Sequence, residues 1–356
     1  MNKFYALIAV ALTSVAFAQQ GAPAQPYYNG FNWNLTGTAL KTALTNITTN
    51  KHVNNLSYSE VWSALQQVDR NPANLSNVLL IYGWEDGTDA NITNDRSRDR
   101  FANGGANGDW NREHTFAQAL GDPDLGQNGP GADAHHLRAS DVQRNGQRAN
   151  LKFAAGSGIP SGPSNLGWYP GDEWKGDIAR MMMYMYLRYG NQCLPTYVGL
   201  GAVAPSDANL PQIFLDWNAE DPVSQYEDNR NTYMGTTSNT YAQGNRNPFI
   251  DNPYLATVIW GGPVAQNRWP NLATVDYAWD TTVSVYPNPA HDRINISSER
   301  DLNEIEVISV NGQVIMRIQN PVFSDHTYGI DNLPKGFYLL KLSSENQSTV
   351  KKVLVN

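Results

Sequence analysis

The chain has 356 residues, room for two domains at the usual size of roughly 150 residues each. It sets 25 Lys and Arg against 33 Asp and Glu, a net charge of -8, which excludes a protein that holds a polyanion by broad neutralisation and leaves only a local grip by a few cations. The single Cys193 excludes an intramolecular disulfide framework, so stability must come from packing.

Residues 1–18 combine Lys3, an apolar run from Phe4 to Val15 and the small-x-small end Ala16-Phe17-Ala18. They read as a secretory signal peptide cut after Ala18; the apolar run is too short for a membrane span. No later segment has the length of apolar sequence a span requires, so the exported chain is expected to be soluble. Residues 19–30 are rich in Gly, Pro and Gln and read as a loose arm. Ser57 followed by Glu60 is a capping box, predicting a short amphipathic helix through Val68. The run Val78–Tyr82 reads as a buried strand, and Glu85, Asp86 and Asp89 as a solvated loop.

Arg96, Arg98 and Arg100 alternate, so on an extended segment all three would share one face. That face is either a phosphate rail or a set of pairs with Asp95 and Asp99. Further on, Glu173–Gly190 is apolar nearly all round and ends in Gly, predicting a buried helix with methionines as core filler; Asp177 and Arg180 lie one turn apart on it. A helix is predicted over Leu210–Trp217, and another starting at Asp221-Pro222 with Asp as cap. The polar loop Gln243–Asp251, which includes Arg246, either faces a substrate or is locked by its own Asn and Asp hydrogen bonds.

After Trp260-Gly261-Gly262 the composition shifts. The chain therefore divides into a signal peptide (1–18), a first domain (19–262), a linker (263–282) and a small β domain (283–356). Short β-branched runs at Ile294–Ile296, Ile305–Ile308, Val314–Ile318, Phe337–Leu342 and Val350–Val355, with Asn311-Gly312 between two of them, predict a small all-β sandwich. Its Tyr286-Pro287-Asn288-Pro289-Ala290, Val310-Asn311-Gly312-Gln313-Val314, Leu333-Pro334-Lys335-Gly336-Phe337-Tyr338 and Lys351–Val355 resemble the C-terminal sorting domain of the type IX secretion system. The resemblance implies that secretion machinery is a partner, with export across the outer membrane and release or surface attachment. A carbohydrate-binding module is the alternative; the clustered aromatics it would need are not evident.

Two blocks carry the chemistry: Trp110-Asn111-Arg112-Glu113-His114-Thr115, and Asp133-Ala134-His135-His136-Leu137-Arg138 running on to Asn145, Arg148 and Asn150. A carboxylate beside an imidazole, followed by an amide and a guanidinium, supplies a metal ligand, a general base and a cation for developing phosphorane charge. A metalloprotease helix needs a second histidine four residues after the first, and none follows His114. Carboxylate and amide oxygens are hard ligands, suited to Mg2+ first and otherwise Ca2+ or Mn2+. Adjacent His135 and His136 would point to opposite faces of a strand, so one of them is expected to hold the loop rather than a metal.

The same blocks resemble the bacterial endonuclease I family of His-Me finger nucleases. The resemblance covers roughly residues 82–260 and is most specific over Trp110–Phe153. It implies an α+β domain with a ββα-metal finger, in which Glu113 and Asn145 hold one divalent ion, His114 is the general base and Arg148 contacts the scissile phosphate. Arg138 and Asn150 are further candidates for phosphate contact, as are Arg96, Arg98, Arg100 and Arg246. The sequence departs from the family in lacking a proline soon after Glu113-His114 and in carrying Ala139 where a proline often stands. The implied activity is a secreted, largely sequence-nonspecific endonuclease, expected as a monomer, acting on DNA and possibly RNA and leaving 5′-phosphate ends. A metal-dependent phosphoesterase for small substrates and a non-catalytic surface adhesin are the rivals.

Overall fold

A computed structural model describes residues 22–269, 283–299, 301–344 and 347–356. The signal-peptide reading of residues 1–18, and residues 270–282 of the linker, lie outside them. The chain forms two compact units, one ending at Trp269 and the other beginning at Pro270.

In the first unit the helix Glu60–Val68 starts where the capping box sets it. Glu60 Oε2 accepts from the Ser57 amide at 2.8 Å, and the Glu60 amide donates back to Ser57 Oγ at 3.3 Å. Val61, Ala64, Leu65 and Val68 form its buried stripe, the spacing of one helix face. They pack with Val78, Leu80, Trp110, Leu137 and Ala139 in one cluster, so this helix covers one face of the strand pair Trp110–His114 and Leu137–Asp141. The opposite face meets the helix Lys175–Tyr189, where Arg138 reaches Asp177 at 2.9 Å.

That long helix is buried from Gly176 to Leu187 and ends at Gly190, whose φ of 57° lies in the left-handed region glycine favours. Gly176 has a second reason to be glycine: a Cβ there would sit 2.5 Å from the Asp221 carbonyl oxygen. Asp221 serves this helix rather than starting its own. Its Oδ2 accepts from the Gly176 amide at 2.8 Å, and the next helix begins at Gln225 behind a reciprocal Ser224–Glu227 capping box. The box satisfies two orphan amides where Asp-Pro would satisfy fewer. The helix predicted from Leu210 runs instead over Gln212–Glu220, with Leu210 and Pro211 closing the strand Asp207–Pro211. Arg180 lies 3.8 Å from Asp177 but gives its fork to Glu227, at 2.6 and 2.8 Å.

Three further expectations are revised. The run Val78–Tyr82 is strand only to Leu79, the strand being Asn74–Leu79; Ile81 then bonds the Ala139 carbonyl, and Tyr82 turns the chain with φ 73°. The described part of the arm, from Ala22, is tied down: Tyr28 is buried, its hydroxyl donates to Asp251 at 2.7 Å, and its ring packs edge-on to Trp269 with centroids 5.8 Å apart. Arg268 and Trp269, expected in the linker, are buried in this unit.

The second unit has two antiparallel sheets. One orders Ser284–Tyr286, Arg293–Ser297 and Thr327–Asp331; the other orders Val314–Gln319, Glu304–Ser309, Gly336–Ser344 and Gln347–Val355. Ile294, Ile296, Ile305, Val307, Leu340, Leu342 and Val353 make a common core. Along Gly336–Ser344 the inward residues are Tyr338, Leu340, Leu342 and Ser344, the period of two that a half-buried strand requires. Gly312, with φ 78°, turns the chain between two of these strands, as Asn311-Gly312 predicts.

Candidate active site

The strands Trp110–His114 and Leu137–Asp141 pair antiparallel, with Trp110 opposite Asp141, Glu113 opposite Arg138 and His114 opposite Leu137. Alternation along a strand sends neighbouring side chains to opposite faces. Trp110, Arg112 and His114 therefore meet Trp62 and Tyr58 on one face, while Asn111 and Glu113 meet Asn145 and Arg148 on the other. Asp141 ends the second strand and caps the helix Val142–Arg148, its Oδ1 accepting from the amides of Gln143 and Arg144 at 2.9 Å each. Asn145 and Arg148, three apart on that helix, reach back to the first strand. The local order is thus strand, strand, helix.

Glu113 is buried, with Oε1 accepting from the Tyr82 hydroxyl at 2.9 Å and from Arg148 Nη1 at 3.2 Å. Burial pushes its carboxyl up to about 7, against the pull of the Arg148 charge and the Tyr82 bond. Oε2 takes no hydrogen bond from any described residue. Asn145 gives its amide nitrogen to Asn111 Oδ1 at 2.8 Å, which directs its own oxygen away from Asn111.

His114 Nε2 lies 2.9 Å from the Gly131 carbonyl oxygen. A carbonyl only accepts, so Nε2 carries the proton and Nδ1 keeps its lone pair. The imidazole stacks on Tyr58 at 5.4 Å and 25°. Burial first, then the Arg112 and Arg148 charges, holds its pKa below the ordinary value although the Gly131 bond acts the other way.

The other sequence candidates divide. Arg148, expected on the phosphate, is buried, and its fork is spent on Glu113, the His114 carbonyl at 2.9 Å and the Thr115 carbonyl at 2.8 Å. Arg138 is buried among Tyr226, Asp177 and Asp69. Arg96 Nε pairs with Glu173 at 2.6 Å, and Arg98 with Asp141 at 2.7 Å and Asp95 at 3.5 Å, so each is held by a carboxylate. Arg100 has no carboxylate partner among the described residues and stacks on Phe101. Asn150 is exposed. Arg246 grips Asp251 with two nitrogens, in a loop whose Gln243, Asn245 and Asn247 are buried and hydrogen-bonded, the locked alternative for that loop. Arg246 also lines a cavity of about 830 Å³ with Tyr27, Arg268 and Trp269; none of Glu113, His114, Asn145 or Arg148 lines it.

His135 and His136 are both structural. Nε2 of His135 bonds the Asn245 carbonyl at 3.1 Å, and Nε2 of His136 the Pro130 carbonyl at 2.7 Å. Burial pushes them down to about 4 and about 3. Tyr58, Tyr82, Arg112 and Asn111 were not singled out from sequence, although Asn111 and Arg112 stand inside the motif itself.

Among the described residues no three His, Cys, Asp or Glu side chains gather as a metal cage. Strand and helix offer one carboxylate oxygen and one amide oxygen, both free of protein hydrogen bonds, a hard donor pair that fits a divalent cation filling its remaining positions with water and phosphate.

Comparisons with known proteins place the chain in a family. The Endonuclease I family matches residues 36–254 and the Secretion system C-terminal sorting domain residues 284–356. The extracellular ribonuclease of Bacillus amyloliquefaciens is 42% identical over 259 residues, covering 70% of this chain and 82% of the relative. That of Bacillus subtilis is 41% identical over 256 residues, covering 67% and 82%. A solved structure of PorZ, a surface component of the type-IX secretion system of Porphyromonas gingivalis, matches 24% of this chain and 12% of its own at 14% identity and a TM-score of 0.19, too slight a likeness to bear on the fold. The sorting domain marks the protein for type IX export, and no described helix is long and apolar enough to cross a membrane. The chain therefore belongs to the Endonuclease I family and is an exported nuclease.

Proposed function

We propose that the protein hydrolyses phosphodiester bonds in both DNA and RNA with little sequence preference, through a His-Me finger formed by the two strands and the helix, with one divalent cation, Mg2+ first, held by Glu113 and Asn145. The observation that carries this reading is the His114 tautomer: Nε2–H is fixed on Gly131, and Nδ1 keeps a lone pair. When bound, the cation supplies positive charge beside the phosphoryl oxygens. His114 Nδ1 takes a proton from water as the water oxygen bonds to phosphorus and the bond from phosphorus to the 3′ oxygen breaks; the departing 3′ oxygen takes up a proton from solvent water, leaving a 3′ hydroxyl and a 5′ phosphate. Arg148 works from behind, fixing Glu113 Oε1 so that Oε2 stays directed outward.

Attack by water makes the ribose 2′ hydroxyl chemically unnecessary, which supports action on both polymers; the ribonuclease names of the relatives support RNA in particular. The test is incubation of purified protein with linear DNA and with RNA, with Mg2+ or EDTA, alongside His114→Ala. Cleavage in Mg2+ alone, 5′-phosphate ends on both polymers and loss in the variant are expected. Full activity of His114→Ala, or 2′,3′-cyclic phosphate ends on RNA, would overturn the mechanism.

A further inference from the structure

With a net charge of -8, the protein must find the cations for a polynucleotide in a few places. Near the strand pair, Arg96, Arg98, Arg138 and Arg148 each lie within 4 Å of a carboxylate. Arg70, Arg100 and Arg112 do not, among the described residues, and all three are partly exposed.

These three form a sequence of contacts leading away from His114. Tyr58 stacks on His114, and the Arg112 guanidinium lies 3.5 Å from the centre of the Tyr58 ring and 4.4 Å from that of Trp62. Arg112 Nε is buried without a partner. Trp62 starts a half-buried edge of the Glu60–Val68 helix that continues to Gln66, whose amide donates to Asn103 at 3.1 Å and whose carbonyl accepts from Arg70 Nε at 3.3 Å. Arg70 pairs with Val78 on the strand Asn74–Leu79, whose Ser76 carbonyl accepts from the Arg100 amide at 3.0 Å, and the Arg100 guanidinium lies 4.6 Å from the centre of the Phe101 ring, a side chain 63% exposed. Cations held by neutral groups but without a carboxylate partner among the described residues, spaced by aromatic faces and continuous with the general base, match a flexible polyanion whose bases stack.

We propose that Arg112, Arg70 and Arg100, with Trp62 and Phe101, form a track that binds the single-stranded polynucleotide leading away from the scissile bond. The proposal rests on the nuclease reading above for its ligand. Phosphates meet the guanidiniums, and bases stack on Phe101 and Trp62. An unstacked single strand is required because a duplex would keep its base faces covered. The track also accounts for how an acidic protein holds an acidic substrate: Arg96, Arg98, Arg138 and Arg148 are paired with carboxylates, whereas Arg70, Arg100 and Arg112 are left to meet phosphates.

The test measures binding of a fluorescently labelled single-stranded oligonucleotide to the full chain carrying His114→Ala, in EDTA, by anisotropy at several salt concentrations. Adding Arg70→Ala and Arg100→Ala together should reduce the slope of log affinity against log salt by about 1.4, at roughly 0.7 per single-strand phosphate contact. Phe101→Ala should weaken binding about five-fold or more without changing that slope. In the otherwise wild-type enzyme the arginine pair should lower kcat/KM for polymer and leave turnover of bis(p-nitrophenyl) phosphate unchanged. An unchanged slope and affinity in the double variant would overturn the track. So would a loss confined to Arg144→Ala, whose guanidinium lies against Trp84 instead. Failure of the nuclease reading would be seen separately, as His114→Ala that still cuts.

Discussion

Arg148 Nη1 bridges Glu113 Oε1 at 3.2 Å and the His114 carbonyl at 2.9 Å, so one guanidinium fixes both residues of the Glu-His pair from the side away from the open carboxylate oxygen. Lysine keeps the charge but not the fork. Arg148→Lys is therefore expected to lower Mn2+ affinity and kcat/KM together by about 10- to 100-fold, the usual cost of disturbing a group that orients a metal ligand. Calorimetric titration with Mn2+ beside steady-state kinetics checks this; a rise in KM alone would return Arg148 to the phosphate.

Asn111 decides which way the Asn145 amide faces, because its Oδ1 takes the Asn145 nitrogen at 2.8 Å. Asn111→Ala should cost about 10-fold in metal affinity. Asn111→Asp, which keeps the acceptor, should recover most of it. Equal loss in both variants would argue that Asn111 matters for bulk rather than orientation.

His135 is buried and pushed down to about 4, from an ordinary 6.5, chiefly by burial. The unfolded chain therefore takes up its proton first as pH falls, so the stability from keeping His135 neutral is complete above 6.5 and is lost as pH drops towards 4. His136 has the same sign. At about 1.4 kcal/mol per pKa unit the His135 share is of order 3 kcal/mol. Thermal melts across this range should show the loss, and His135→Asn should flatten it; an identical slope in the variant would remove His135 as the cause.

Asp69 gathers Arg230, the Tyr226 hydroxyl at 2.8 Å and the Ala139 amide at 2.6 Å in a fully buried site. Asp69→Asn leaves the Arg230 cation without its charge partner and should destabilise by about 3–5 kcal/mol. Urea unfolding would measure it, and a change below about 1 kcal/mol would mean that the Ala134 and Leu137 carbonyls, which also accept from Arg230, suffice on their own.

The end of the first unit offers a simpler comparison. A chain cut after Trp269 should melt as the first unit does in the full protein. One cut after Gly262 loses Trp269 from the Tyr28 and Trp33 rings and Arg268 from Asp228, and should melt several degrees lower. Calorimetry of the two distinguishes them.

The parts of the site legible from sequence are those that share a segment. Glu113 with His114, and Asn145 with Arg148, stand in motifs whose spacing survives folding unchanged. Tyr58 and Tyr82 lie far from them along the chain and arrive by packing, which no local pattern records. The Arg96, Arg98 and Arg100 alternation was visible, but the strand there is only Ser97–Asp99, and Glu173 and Asp141, which take the first two arginines, come from remote segments. In the tail, five strands show as β-branched runs. Ser284–Tyr286 is too short to show, and Thr327–Asp331 is broken by Gly329, against which the Arg293 guanidinium packs closely. The helix Gly37–Lys51 went unread because Leu40, Leu44 and Thr48 are its only buried positions, a narrow stripe in a Thr- and Asn-rich sequence.

The contact of Tyr28 with Trp269 brings the first and last described segments of the catalytic unit together. A unit closed in this way is suited to circular permutation: a short peptide joining the two ends, with new termini opened in the exposed turn near Asn165 and Leu166, should still assemble around Glu113 and His114. For an exported enzyme, the same closure means that a protease cutting after Trp269 would remove sequence without unpicking the catalytic unit.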